Sequence, residues 1–153
     1  MASSDGRYSV RPLQDGDRDR WLTLWAGYLA FYRAEVPEHV TESTFQRLRD
    51  GAEAMLGLVA TAPDGDLVGL AHLVFHPSTW TTDGYCYLED LYVDRSARGG
   101  NASRVLFDAV FAAARTRGSA RVYWHTQQFN GSARSLYDTV GRLTSMVEYE
   151  VPL

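Results

Sequence analysis

Apolar residues recur along this chain in two periods, and each change of period marks an element. Trp21, Leu24, Trp25, Tyr28, Leu29 and Tyr32 follow the i, i+3, i+4, i+7 spacing of one helical face. Pro37 ends that helix, and "TESTFQRLRDG" supplies N-cap candidates, a short helix and a glycine stop. Before them, "RYSVRPL" alternates as a first strand, with Pro12 near its end. "LGLVAT" and "LVGLAHLVF" flank the turn cluster "APDGD" and predict an antiparallel hairpin. A polar loop, "STWTTDG", leads into a strand, "YCYLEDLYV". An alanine-rich helix then runs to Gly118, followed by a fifth strand, "RVYWHT", and a short helix, "FNGSARSLYDTVG", stopped by Gly141. "LTSMVEYEVPL" closes the chain with strand character. Strands come first as hairpins and then alternate with helices, which predicts a three-layer α/β or α+β domain.

Composition narrows the class. The 153 residues suffice for one domain with a single core, and 45% hydrophobic with 22% charged residues is ordinary for a soluble protein. "MASSDGRYSV" lacks the apolar segment of a signal peptide, and no run reaches the ~20 apolar residues of a membrane span. Cys86 is the only cysteine, so there is no intrachain disulfide or cysteine metal cluster, and a reducing cytoplasm is expected. Net charge is -4, and all 15 basic residues are arginines with no basic tract among them. That distribution argues against a nucleic-acid partner and suits a cationic substrate.

The densest chemical signal is "VDRSARGGNASRVL", a strand ending that runs into a helix through Arg98, Gly99, Gly100, Asn101, Ala102, Ser103 and Arg104. A helix start presents unpaired N–H groups and the positive end of a dipole. Glycines let the backbone approach a diphosphate, Asn101 tolerates left-handed geometry, and Ser103 offers a hydroxyl at the helix start.

This stretch resembles the coenzyme A loop of the GNAT acetyltransferase superfamily, [Q/R]-x-x-G-x-[G/A], with Arg98 at the first position and Gly99 at the usual following glycine. Asn101 and Ser103 depart from the glycine and the glycine or alanine that the superfamily favours. "YCYLEDLYV" is similar to the strand before that loop in polyamine acetyltransferases and their small-amine and histone-acetylating relatives. "WHTQQFNGSARSLYDTVG" resembles the strand-then-helix segment in which an asparagine precedes a tyrosine by seven positions, here Asn130 and Tyr137. The early "YLAFYRAEVPEHVTESTFQRL" is similar to the substrate-side helices. The resemblance spans nearly the whole chain. It implies a mixed, mostly antiparallel sheet of six or seven strands, splayed between strands 4 and 5, with helices on both faces.

It also implies acetyl-CoA as donor and direct transfer of acetyl to a primary amine of a polyamine, an amino metabolite or a lysine side chain, through a tetrahedral intermediate. Homodimers occur among similar proteins. A lysine-like amine near pKa ~10.4 needs roughly 4.6 kcal/mol to lose its proton at neutral pH, so a carboxylate base is required. Glu89 and Asp90 are the candidates. Strand alternation sends them to opposite faces; the resemblance favours Glu89 as base or water-holder, with Asp90 assisting. It assigns the backbone of Leu91, Tyr92 and Val93 to the oxyanion and the pantetheine arm, and places Asn130 and Ser132 against the cofactor. The leaving thiolate needs an acid, and the phenol of Tyr137 is one. Tyr137 also sits with Ala133, Leu136 and Val140 at core-like helical spacing.

Tyr28, Tyr32, Glu35, Trp80 and His125 are candidates for the acceptor pocket, although Tyr28 and Tyr32 also lie on the apolar face of the first helix. His72 and His76 fit no metal motif and read as structural, and Cys86 between two tyrosines reads as a buried, inert thiol. The competing function is a non-catalytic acetyl-CoA-binding regulatory module, for which Glu89, Asn130 and Tyr137 would be superfluous.

Overall fold

The computed structural model describes residues 7–51 and 54–153. The leading "MASSDG", read above for targeting, lies outside them. Five strands, β1 (Ser9–Pro12), β2 (Met55–Thr61), β3 (Leu67–Ser78), β4 (Thr81–Val93) and β5 (Val122–Tyr123), form one sheet in sequence order. The pairs β1–β2, β2–β3 and β3–β4 are antiparallel, and β4–β5 is parallel. Helices α1 (Arg18–Phe31) and α2 (Glu38–Asp50) cover one face, and α3 (Ala102–Thr116) and α4 (Gly131–Val140) the other.

Each face has its own core. Trp21, Leu24 and Trp25 of α1 and Phe45 and Leu48 of α2 close over Val59, Leu67 and Leu70. On the other side Val105, Leu106, Ala109 and Val110, at helical spacing along α3, close over Leu58, Ala71, Leu73, Cys86 and Leu88. Polar ties fix the layers. Arg11 and the buried Asp17 form a bidentate pair at 2.7 and 2.8 Å. Arg20 donates to the Leu67 carbonyl at 3.0 Å and to Asp94 at 2.6 Å, tying α1 to the residue that follows β4.

The sequence reading and the structure differ in four places. The expected loop around Trp80 is a tight turn, because Ser78 pairs with Thr81 and β4 begins four residues before Tyr85. Helix α2 begins at Glu38, directly after Pro37, rather than at the later N-cap candidates. The sheet has five strands instead of six or seven. The expected last strand is missing: residues 142–153 are exposed and have no ladder partner among the described residues.

The fourth difference bears on the site. His72 pairs with Asp90, but the next pair is Leu73 with Leu88, so Glu89 is an extra residue in a β-bulge. The bulge cancels alternation between Glu89 and Asp90. Leu88 and Leu91 both turn to the α3 side, and the two carboxylates share the α1–α2 side, where Glu89 feels Asp90, His72 and Arg47.

Candidate active site

Beyond Tyr87 the sheet opens. β5 pairs with β4 only at Cys86–Val122 and Tyr87–Tyr123, whereas β4 continues to Val93. The β4 edge from Leu88 onward therefore has no strand partner on that side among the described residues, and its backbone is available to an extended ligand arm.

A cavity of about 350 Å³ fills this opening. Its floor is Leu91, Tyr92 and Val93, and one wall is Arg98, Gly99, Gly100 and Ser103 at the start of α3. The opposite wall is Asn130, Ser132, Leu136 and Tyr137 of the α4 region, and the roof is Tyr28, Phe31 and Tyr32 of α1. Gly99 has φ +85, a left-handed conformation that side chains rarely adopt, and this turns the loop so that α3 begins at the cavity. Arg98 lines the cavity while its Nε donates to the Val93 carbonyl at 3.2 Å and its guanidinium lies 5.6 Å from the Tyr92 ring. These contacts clamp the loop to the end of β4.

Tyr137 faces both the core and the cavity. Its ring packs edge-on to Phe107 at 5.8 Å and Trp124 at 5.7 Å, while the residue lines the cavity. Burial raises its pKa, with a hydrogen bond from Thr126 working the other way, so the phenol is protonated at neutral pH and can act as an acid. Gly141, after α4, is extended rather than left-handed; a Cβ there would lie 2.7 Å from the Trp124 ring, so this stop is set by close packing.

Glu89 and Asp90 do not line the cavity; Asp90 lies next to Tyr28, which does. Asp90 accepts from His72 Nδ1 at 2.9 Å, and its charge lies close enough to the Tyr28 hydroxyl to raise that phenol's pKa further after burial has done so. Burial raises the Glu89 pKa, and the Asp90 charge raises it further, which strengthens Glu89 as a proton acceptor. Burial also pushes the Tyr87 phenol up to about 12.

Other expected residues lie elsewhere. Ala102 is buried in the α3 core, Arg104 pairs with Asp108 along the exposed face of α3, and Asn101 stands at the N-cap position of α3, with no side-chain capping bond and without lining the cavity. Trp80 is 85% exposed at the tip of the β3–β4 turn, and Glu35 is exposed after α1. His125 contacts the Tyr87 hydroxyl at 3.1 Å and Glu148 at 3.2 Å, outside the cavity. Cys86 is buried, and its thiol is pushed up to about 11, which keeps it inert. Of the acceptor-pocket candidates, Tyr28 and Tyr32 line the cavity. Phe31 and Thr126 enter the site without having been singled out, and neither carries a spacing signal.

This arrangement fits a coenzyme A arm: an open strand edge for pantetheine, a glycine loop at a helix start for diphosphate, and a phenol at the far wall. Comparisons agree. The model of the acetyltransferase (GNAT) family matches residues 21–141. D-amino-acid N-acetyltransferase HPA3 of Saccharomyces cerevisiae is 32% identical over 94% of this chain and 90% of its own. An aminoglycoside N(6')-acetyltransferase type 1 of Klebsiella aerogenes is 29% identical over 86% and 87%. Among solved structures, AAC(6')-Iy with the bisubstrate analogue CoA-S-monomethyl-acetylneamine superimposes with a TM-score of 0.82 at 15% identity, over 95% of this chain and 98% of that one, a likeness of fold.

Proposed function

The chain belongs to the acetyltransferase (GNAT) family and is an N-acetyltransferase with acetyl-CoA as donor; we propose that its acceptor is a small cationic primary amine, with Glu89 as base and Tyr137 as acid. One observation carries this reading. A single opening brings together the free β4 edge, the glycine loop, Tyr137 and, through Tyr28, the paired carboxylates of the bulge.

The donor supplies an activated acetyl group, and the chain's own residues handle the protons. An ammonium acceptor approaches the α1 end, where the aromatic rings of Tyr28 and Tyr32 and the nearby carboxylates favour a cation. Glu89 takes one proton, the amine nitrogen bonds the acetyl carbon, and the carbon–sulfur bond breaks. Tyr137 protonates the departing sulfur. The second nitrogen proton returns through solvent to the tyrosine oxygen, leaving one net proton for bulk water. The Leu91–Val93 backbone offers its N–H groups to the carbonyl oxygen.

The acceptor class is drawn from the chemistry of the opening and from relatives named for D-amino acids and aminoglycosides. Thiol release from acetyl-CoA across polyamines, D- and L-amino acids, a lysine-bearing peptide and an aminoglycoside tests it. Turnover with a small amine is expected. Tight coenzyme binding without turnover of any amine would instead favour the regulatory module. We further propose a homodimer. Its support is the arm of residues 142–153, in which Val147, Tyr149, Val151 and Leu153 alternate as in a strand yet are all at least 78% exposed.

A further inference from the structure

Beneath the carboxylates lies a buried chain of contacts that the transfer itself does not touch. Trp21 of α1, with no exposed surface, donates its Nε1–H to His72 Nε2 at 3.1 Å. An indole nitrogen is only a donor, so His72 Nε2 carries no proton. The remaining imidazole proton is on Nδ1, which donates to Asp90 Oδ2 at 2.9 Å. Trp21 and Trp25 hold the ring in place, with centroids 5.7 and 5.3 Å from it. A core histidine needs no such alignment with a carboxylate that neighbours both Glu89 and the cavity-lining Tyr28.

We propose that His72 is a positioning residue of the acetyl transfer: with its tautomer set by Trp21, it fixes the Asp90 carboxylate as a hydrogen-bond acceptor beside Glu89, so that the proton leaving the amine goes to Glu89. The inference rests on the base role given to Glu89 above. Asp90 already receives the Nδ1–H of His72, with the Tyr28 phenol near its charge, and that charge acts on Glu89 beside it. The β-bulge is what makes this division of labour possible, because it puts both carboxylates on the His72 side. The other groups facing the pair are Tyr32 from α1, Arg47 from α2, Tyr87 on β4 and Tyr123 on β5. None of them donates to Asp90 in place of His72 in the structure.

A double-mutant cycle with Glu89→Gln tests the proposal, using acetyl-CoA and the best acceptor of the amine panel. His72→Leu removes both ring nitrogens; His72→Asn keeps an N–H near the Nδ1 position. His72→Leu is expected to lower kcat by about tenfold, within the range for coupled neighbours, with an unchanged KM for acetyl-CoA. In the Glu89→Gln background the same change should cost less than about twofold, and His72→Asn should restore most of the single-variant loss. Equal losses in both backgrounds, with Glu89→Gln itself impaired, would overturn the positioning role while leaving the base assignment standing. An undiminished Glu89→Gln enzyme would overturn the base assignment, and this inference with it. Should His72→Leu fail to fold, nitrogen-15 spectra of the unaltered protein decide: a neutral Nδ1–H tautomer is expected, and an Nε2–H tautomer would refute the proposal.

Discussion

Asn130 and Tyr137 converge on one hydroxyl. Asn130 Nδ2 donates to Thr126 Oγ1 at 3.4 Å, and the same Thr126 side chain partly offsets the burial that raises the Tyr137 pKa. The seven-residue offset between them thus has a physical meaning: Asn130 sits at the N-cap of α4, Tyr137 two turns on, and Thr126 at the end of the β5 segment bridges them.

Tyr137→Phe should separate the two roles of that ring. The edge-on packing on Phe107 and Trp124 survives the substitution, so the melting temperature should change little. Turnover should fall by about 10² or more if the hydroxyl is the acid. Steady-state thiol release and a thermal melt check both. An unchanged kcat would return the ring to a packing role alone.

The pH dependence should report the bulge. With Glu89 as the proposed base its ionised form would be the active one, and burial together with the Asp90 charge raises its pKa. The acidic limb of kcat/KM should therefore lie above the ordinary glutamate value of about 4.3. Asp90→Asn removes a cause that raises the pKa, so the limb should move to lower pH. A limb that stays in place, or moves up, would contradict the shared face of the two carboxylates.

Cofactor affinity should depend on Gly99. An alanine there meets no atom within 4 Å, but it must hold φ +85, a conformation that costs an L residue about 1–2 kcal/mol. Calorimetric titration of Gly99→Ala with coenzyme A should show binding weakened by about tenfold. Equal affinity would mean that the loop does not contact the coenzyme.

Stability should fall on the acid side through Asp17. Its hydrogen bond with Arg11 lowers its pKa in the folded chain. That contribution is complete above the unfolded carboxylate range and is lost as pH falls through the lowered value. Asp17→Asn should cost about 1.5–3 kcal/mol at pH 7, as expected for a hydrogen bond to a charged group, and flatten the acid limb of the stability curve. Urea melts across pH measure it.

The arm makes a prediction of its own. Sedimentation equilibrium should give a dimer, and Val147→Glu with Val151→Glu should give a folded monomer. A monomeric unaltered chain would refute the arm as an interface.

Much of this was legible in the sequence. The apolar periods gave α1, α3 and the β2–β3 hairpin, and the glycine loop marked the start of α3, because those signals are local. The bulge was less visible, although Leu88 and Leu91 stand three apart with two acids between them, a spacing that breaks strand alternation. His72 read as structural because its partners, Trp21 and Asp90, lie 51 and 18 residues away. The last strand was misjudged because alternation specifies a strand without specifying which chain pairs with it.

The central claim is that the opening between β4 and β5 seats the coenzyme with its sulfur toward Tyr137. A crystal structure with bound coenzyme A tests it most directly. The account predicts the diphosphate on the backbone N–H groups around Gly99, Gly100 and Ser103, the pantetheine along Leu91–Val93, and the sulfur within hydrogen-bonding reach of the Tyr137 hydroxyl. A coenzyme bound elsewhere, or a sulfur directed away from that hydroxyl, would contradict it.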